Sequence, residues 1–482
     1  MKNLQKLLYK ISINSVYGNT NISIENLSYD SRRIEKNSIF FAIKGESYNG
    51  FDYIGESIKK GAKAILCDRI PNKIDKRIVY VIVENVERAL GIIASNFYNN
   101  PSSKIKLIGI TGTNGKTTSA TLLYKLFKEH AFSVGLISTI CIKYNDKLFK
   151  TNHTTPDTIR INSFLKLMID EGVSHCFMEV SSHGISQNRI SGLNFFGAVF
   201  TNISHDHLDY HENFKNYRDT KKSFFDSLSK DAFALTNTDD KNGLFMLQNT
   251  NAKKYTLSIN KHADFNLKIS ENLFSGMLLN FENHEFWTKL VGRFNALNIL
   301  TVIAVSKILE LETISVLKKI SKINNVNGRF QIFNSKKRTK VIIDYAHTPI
   351  ALENVLKTIN EIRTKNENII TVVGCGGNRD KEKRPIICNK AAHLSDKVIL
   401  TSDNPRDENP KKIIEDMIKG VSPIDYKKII KITDREEAIM ESERISEPGD
   451  IILIAGKGHE NYQEINGEKK PFDDFEIVKK YF

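Results

Sequence analysis

Short apolar runs of strand length recur along the whole chain, separated by longer stretches in which apolar residues return every three or four positions. In the first hundred residues the runs SIFFAIKG, KAILCD and RIVYVIV alternate with helical pieces and close on NVERALGIIASNFYNN, whose period predicts a helix. Pro101, Ser102 and Ser103 then read as a linker. From Lys104 the pattern restarts with the strand KIKLIGI and a Gly/Thr-rich turn. A helix follows with Leu122, Leu123, Leu126 and Phe127 on one face, then the strand SVGLIST, which together predict a βαβ unit. After Phe330 the alternation becomes regular. VIIDYAH, IITVVG, KVILTSD and IILIAG are separated by helix-compatible stretches such as ALENVLKTINEIR and DREEAIMESER, the pattern of a doubly wound α/β sheet.

Length agrees with this division, since 482 residues make roughly three domains of about 150 residues each. The expected limits are 1–101, 102–330 and 331–482. Composition, at 40% hydrophobic and 26% charged residues, is that of a chain that folds. No apolar run approaches the roughly 18 residues of a membrane span, and the opening MKNLQKLLYKISIN lacks the pattern of a signal peptide. A soluble cytoplasmic protein is expected, with no membrane partner. Cys67, Cys141, Cys176, Cys375 and Cys388 are odd in number and scattered, so they read as reduced thiols, mostly buried. The net charge of +14 would by itself suggest a polyanionic partner. The lysines, however, are spread among many Ile and Asn residues, as an AT-rich coding sequence would produce, and form no stripe with interleaved aromatics. Nucleic acid is therefore not expected; small anionic substrates are.

The most specific chemical signal is Gly112-Thr113-Asn114-Gly115-Lys116-Thr117-Thr118 between a strand and a helix. Backbone N–H groups of such a loop face phosphate oxygens, the lysine neutralises the terminal phosphates, and the hydroxyl of Thr117 can ligate Mg²⁺. The usual P-loop has a Gly five residues before Gly115, where this chain has Ile110, so the loop is a variant and speaks against a motor-type NTPase. A second apolar strand ends in Glu179, placed to hold a metal beside the nucleotide. Downstream, TNISHDHLDYH is dense in His and Asp and is followed by Tyr217 and Lys221. In the last third, polar residues follow each strand: Asp344 to Pro349, Gly374 to Arg384, Asp403 to Arg406 and Gly456 to Glu460. Open α/β sheets bind ligands at that edge, and turn chemistry alone does not call for Arg379, Lys381, Arg384, Arg406 and His459.

GTNGKTT, MEVSSHG, TNISHDHLDYH with Lys221, GRFNALN, NGRF, DYAHTP and AGKGHE together resemble the Mur ligase family, the ATP-dependent amide-forming enzymes of peptidoglycan assembly. The resemblance runs from about Tyr29 to beyond Glu460. It implies an N-terminal UDP-sugar-binding domain, a central P-loop ATPase-like domain and a C-terminal Rossmann-like domain that binds the amino acid. Within the family, GCGGNRDKEKRP and Asp403-Asn404-Pro405-Arg406 are similar to the members that add meso-diaminopimelate to UDP-N-acetylmuramoyl-L-alanyl-D-glutamate. A lysine-adding or other Mur ligase, or a folylpolyglutamate-synthetase-like enzyme, is the related alternative. A P-loop ATPase acting on nucleic acid, or a nucleotide-binding regulatory module, is the alternative of a different class.

The resemblance also implies roles for residues. Ser31, Glu46, Ser47 and Tyr48 would lie near the uridine and its phosphates. His153, standing where relatives often have Asn, would join Thr154, Thr155, Ser181, Gln187 and Arg189 on the muramoyl dipeptide. Asn295 and Asn298 would serve the adenine side, and Arg329 and Asp344 would hold ATP across the domain junction. Arg379, Asp403, Asn404, Pro405, Arg406, Gly456 and Glu460 would line the diaminopimelate pocket. Lys116, Glu179, His207 and Lys221 would be catalytic; Thr117, Glu179, His207 and Lys221, the last as a CO₂-derived carbamate, would hold Mg²⁺. The implied reaction passes the γ-phosphoryl group of ATP to a carboxylate and lets an amine attack the acyl phosphate. A monomer is expected.

Overall fold

The computed structural model describes residues 1–45 and 48–482. Three α/β blocks follow one another along the chain. In the first, the strands Asn26–Ser28, Ser38–Phe41, Ala62–Cys67 and Val79–Ile82 run parallel and Ser15–Tyr17 adds an antiparallel edge. The helix expected at residues 85–100 forms over Val86–Phe97, its first turn capped by Asn85, whose side chain accepts from Arg88 N–H. Pro101–Ser103 departs from the expected linker. It is a short 3₁₀ turn with Pro101 and Ser102 buried, and the Ser102 hydroxyl accepts from Asn194 N–H at 2.9 Å. Proline at the first position of the turn supports a tight helical start as readily as a linker.

The second block is built on a nine-stranded sheet. Its strand Lys106–Thr111 lies between His175–Glu179 and Gly197–Phe200, all parallel. The ends of these three strands therefore share one edge, which brings the Gly112 loop, Glu179 and Thr201 together. One face is covered by helices Lys116–Glu129 and Arg293–Ile308, and the other by Thr158–Asp170 and Phe214–Asp226. A separate antiparallel sheet, Lys268–Leu273, Gly276–Phe281 and His284–Thr288, packs onto the first face.

The third block orders its parallel strands Lys340–Asp344, Ile451–Ala455, Ile369–Cys375, Lys397–Ser402 and Ile429–Lys431, with Gln331–Asn334 antiparallel at one edge. All four expected strands form, and each is fully or almost fully buried, as a sheet covered on both faces requires. Because the last strand inserts between the first two, Asp344, Cys375, Asp403 and Gly456 converge at one edge. Behind that edge Arg435 and Asp474 form a fully buried two-bond pair at 2.8 Å, and Arg435 also donates to the carbonyl of Ala455. The five cysteines are free thiols, four buried and Cys141 partly so.

Candidate active site

The strand Lys106–Thr111 hands over to helix Lys116–Glu129 through a loop that only glycine can make. Gly112 has φ +146°, and a Cβ there would stand 2.0 Å from the Thr201 hydroxyl. The loop is pinned to the neighbouring strand end: Thr113 N–H donates to Asn202 O at 2.8 Å and Asn114 N–H to Asn202 Oδ1 at 3.0 Å. Lys116 folds back so that Nζ donates to the carbonyls of Gly112 and Thr113, both at 2.8 Å. Lys221, fully buried on helix Phe214–Asp226, donates to the same Gly112 carbonyl at 3.1 Å. Burial and the adjacent Lys116 ammonium push Lys221 well below the ordinary lysine range, and burial lowers Lys116 too.

Glu179, also fully buried, accepts from the Thr117 hydroxyl at 2.9 Å, from Thr139 N–H at 2.8 Å and from the Thr139 hydroxyl at 3.2 Å. Arg329 Nη2 reaches the Thr117 hydroxyl at 3.2 Å, and its guanidinium lies over the Tyr345 ring. Asp344 accepts from Phe330 N–H at 2.6 Å and so fixes the chain next to Arg329. Asn298 accepts from Ser119 at 3.3 Å and donates to Asn295, which is tied to the Val291 carbonyl. Thr118 is buried in the first turn of the P-loop helix.

The carboxylate-side residues gather at the neighbouring strand end. Thr155 donates to the Glu179 carbonyl at 2.9 Å and accepts from Ser181 N–H at 2.9 Å, while Ser181 caps the short helix Ser182–Ser186. Arg189 donates to the Thr155 carbonyl at 2.7 Å and to Gln187. Thr154 accepts from Thr139 at 3.0 Å, and His153 lines the same cavity. His207 is paired with Asp206 at 3.4 Å and meets His183 edge to face; burial pushes its imidazole down to about 3, so it stays neutral.

At the far wall Asn404 donates to Glu460 at 2.8 Å, and the fully buried Lys457 donates to both Asn404 and Glu460 at 3.1 Å. Gly456 has φ +114°, and a Cβ there would stand 2.6 Å from Asp403 Oδ2. Arg406 Nη1 donates to Gly377 O at 2.7 Å. Arg379 lines the cavity and has no hydrogen bond or ion pair among the described residues. Pro405 is buried behind the wall.

These parts enclose one cavity of about 1850 Å³, lined from Thr113–Thr118 through Glu179 and Arg189 to Arg379, Arg406 and Glu460. Lys221, Thr155 and Pro405 stand directly behind its lining. Of the uridine-side residues, Ser31 and Tyr48 do not join it. Ser31 is buried against Glu56, Tyr48 is exposed, and Glu46 and Ser47 lie outside the described residues. Sequence reasoning missed Thr139, whose strand-end position carries no motif, and Lys457, whose neighbours in AGKGHE could have flagged it. It also missed the group His205, Asp380 and Glu382, the one set of three His, Cys, Asp or Glu donors mutually within 4.8 Å among the described residues.

A glycine loop on two lysines, a buried carboxylate beside it and a polar wall on a second sheet define a nucleotide-dependent ligase. Residues 110–306 match the Mur ligase middle domain, 328–458 the Mur ligase glutamate ligase domain, and 23–98 the Mur ligase family catalytic domain. The chain belongs to the Mur ligase family and is an ATP-dependent ligase. It is 50% identical over 479 residues, 99% of each chain, to UDP-N-acetylmuramoyl-L-alanyl-D-glutamate--2,6-diaminopimelate ligase of Bacteroides thetaiotaomicron. Identity is 40% to the protein of that name in Clostridium tetani, covering 99% of this chain and 98% of the other. A solved structure of a ligase of that name superposes with TM-score 0.69 at 29% identity, covering 100% of this chain and 98% of that one.

The loop sequence assigns Lys116 to the terminal phosphates of a nucleotide, and replacing it by Ala tests that expectation. Ligation is expected to fall by roughly 10²- to 10³-fold or more, with binding of the UDP-linked substrate largely kept. Equilibrium binding and a ligation assay on the same preparation check this; near-normal turnover would contradict the assignment.

Proposed function

We propose that the protein joins meso-diaminopimelate to UDP-N-acetylmuramoyl-L-alanyl-D-glutamate with cleavage of ATP to ADP and phosphate, a step of peptidoglycan precursor synthesis. One observation carries the reading: a single cavity has the phosphate-binding loop at one end and Asp403, Asn404 and Arg406 at the other. The limits 1–101, 102–330 and 331–482 are proposed for the UDP-sugar, ATP and amino-acid domains. The reading is of a cytoplasmic monomer without nucleic-acid or membrane partners. Among the described residues no helix is long and apolar enough to cross a membrane.

A carboxylate is a poor electrophile because oxide does not leave. Transfer of the γ-phosphoryl group to the D-glutamyl carboxylate supplies a leaving group, and attack by the neutral amine of the diamino acid then forms the amide and releases phosphate. Both partners of the first step are anions. Lys116, the loop N–H groups and Arg329 supply positive potential, while Arg189 and His153 position the substrate, so catalysis is orientation plus electrostatics. The Thr117 hydroxyl and Glu179 carboxylate, 2.9 Å apart, are hard oxygen donors that fit Mg²⁺, with neutral His207 on the same cavity. When bound, the ion screens phosphate charge. Asn295 and Asn298 are proposed for the adenine side, Ser31, Glu46, Ser47 and Tyr48 for the uridine side.

Lys221 is proposed to carry the carbamate. Its lowered basicity favours the neutral amine, the form that reacts with CO₂, and the anion formed attracts the Lys116 ammonium where a protonated Lys221 would repel it. Carbamylation releases a proton, so acid reverses it. Enzyme held at pH near 6 in CO₂-free buffer is expected to lose activity and recover on adding bicarbonate at pH 8, with a ¹³C carbamate resonance that Lys221→Ala lacks. Full activity of Lys221→Ala would refute the role.

Substrate choice tests the function itself. Meso-diaminopimelate differs from lysine by one distal carboxylate, and arginine can bind a carboxylate bidentately. In a competition assay the enzyme is expected to incorporate diaminopimelate over lysine by at least tenfold, and Arg406→Ala to lose that preference. Equal incorporation by the unaltered enzyme, or an unchanged preference in Arg406→Ala, would overturn the reading.

A further inference from the structure

The loop Asp403–Arg406 does not hold its own shape. Arg406 has φ +50°, a left-handed backbone that a side chain as large as arginine adopts only when its surroundings impose it. The imposing element is the hairpin Tyr462–Ile465 and Glu468–Pro471. Arg406 N–H donates to Glu464 O at 3.0 Å, and Asn466 N–H donates back to Arg406 O at 2.8 Å. Glu464 N–H donates to Asn404 Oδ1 at 3.0 Å, and the Gln463 side chain donates to Asp403 O at 2.8 Å. Asp403, Asn404 and Arg406 are thus each tied to the hairpin.

The side chain of Glu464 completes this arrangement. Its carboxylate lies 3.3 Å from Arg406 Nε, and Arg406 lines the cavity while Glu464 does not. Nη1 is meanwhile occupied by Gly377 O at 2.7 Å. Nη1 is thus hydrogen-bonded, Nε faces the Glu464 carboxylate as an ion pair, and Nη2 has no partner among the described residues. A planar fork held in this way loses little rotamer freedom when a carboxylate docks on its open edge, and preorganisation of this kind is gained as affinity.

We propose that Glu464 is a positioning residue that locks the Arg406 guanidinium with its Nη2 edge facing the cavity, and that it thereby sets selectivity for an amino acid bearing a distal carboxylate. This rests on the diaminopimelate reading. Glu464 acts through Arg406 and touches no reacting atom, so its removal should be felt in substrate capture.

Steady-state kinetics of the full chain with meso-diaminopimelate, lysine and ATP test it, comparing Glu464→Gln, Glu464→Asp and Arg406→Ala. Glu464→Gln is expected to raise KM for meso-diaminopimelate about tenfold, with kcat within twofold and KM for ATP unchanged, and to lower the ratio of diaminopimelate to lysine kcat/KM. Glu464→Asp, which restores the charge, should recover most of that ratio. If Arg406→Ala loses the preference while Glu464→Gln keeps KM and ratio unchanged, the role of Glu464 is overturned alone. The same holds if Glu464→Gln damages kcat and KM for ATP as much as KM for the amino acid. If Arg406→Ala itself keeps the preference, the diaminopimelate pocket is wrong and this inference falls with it.

Discussion

Two lysine ammonium groups share one carbonyl oxygen in the interior of this protein. Lys116 and Lys221 both donate to Gly112 O, at 2.8 and 3.1 Å; Lys221 is fully buried, and Lys116 is part-buried at the cavity wall. Like charges this close repel by several kcal/mol at interior dielectric, so the arrangement is tolerable only where anions come to meet it or one amine gives up its proton. Much of the site follows from that constraint. Glu179 stands behind Thr117 as counter-charge, and burial keeps His207 neutral so that no further cation is added.

The same constraint explains why two sheets are needed. The central sheet gathers positive potential for one anionic substrate pair, but the amine that completes the reaction must arrive uncharged and from another direction. The third block supplies that wall. Its strand order places Asp344, Cys375, Asp403 and Gly456 on one edge, and Arg329 at the junction reaches back to Thr117. His205 and Asp380, 3.3 Å apart, make a second contact between the blocks. The cavity is lined by residues far apart in sequence, contributed by both blocks.

Much of this was legible in the sequence because its causes are local. Strands VIIDYAH, IITVVG, KVILTSD and IILIAG are continuous apolar runs, and a parallel sheet covered on both faces demands that pattern. The P-loop was legible because glycine spacing and the lysine follow one another directly. Thr139 and Glu464 are not legible, since each acts through a partner 40 or 58 positions away, Glu179 and Arg406 respectively. Pro101–Ser103 reads as a linker and forms a 3₁₀ turn, since proline opens such a turn as easily as it marks a linker, and Ser102 is buried against Asn194. The antiparallel sheet Lys268–Thr288 and the hairpin Tyr462–Pro471 alternate too weakly between apolar and polar residues to stand out.

In the proposed reaction, positive charge at Gly112 lets a carboxylate be phosphorylated beside it. Oxygen tracing tests this most directly. With ¹⁸O in the D-glutamyl γ-carboxylate of the UDP-linked dipeptide, a single turnover should deliver one ¹⁸O atom into each phosphate released, detected by mass spectrometry or by the isotope shift of the ³¹P resonance. Phosphate free of ¹⁸O, with amide formed in equal amount, would contradict the account, since the carboxylate oxygen would then never have been joined to phosphorus.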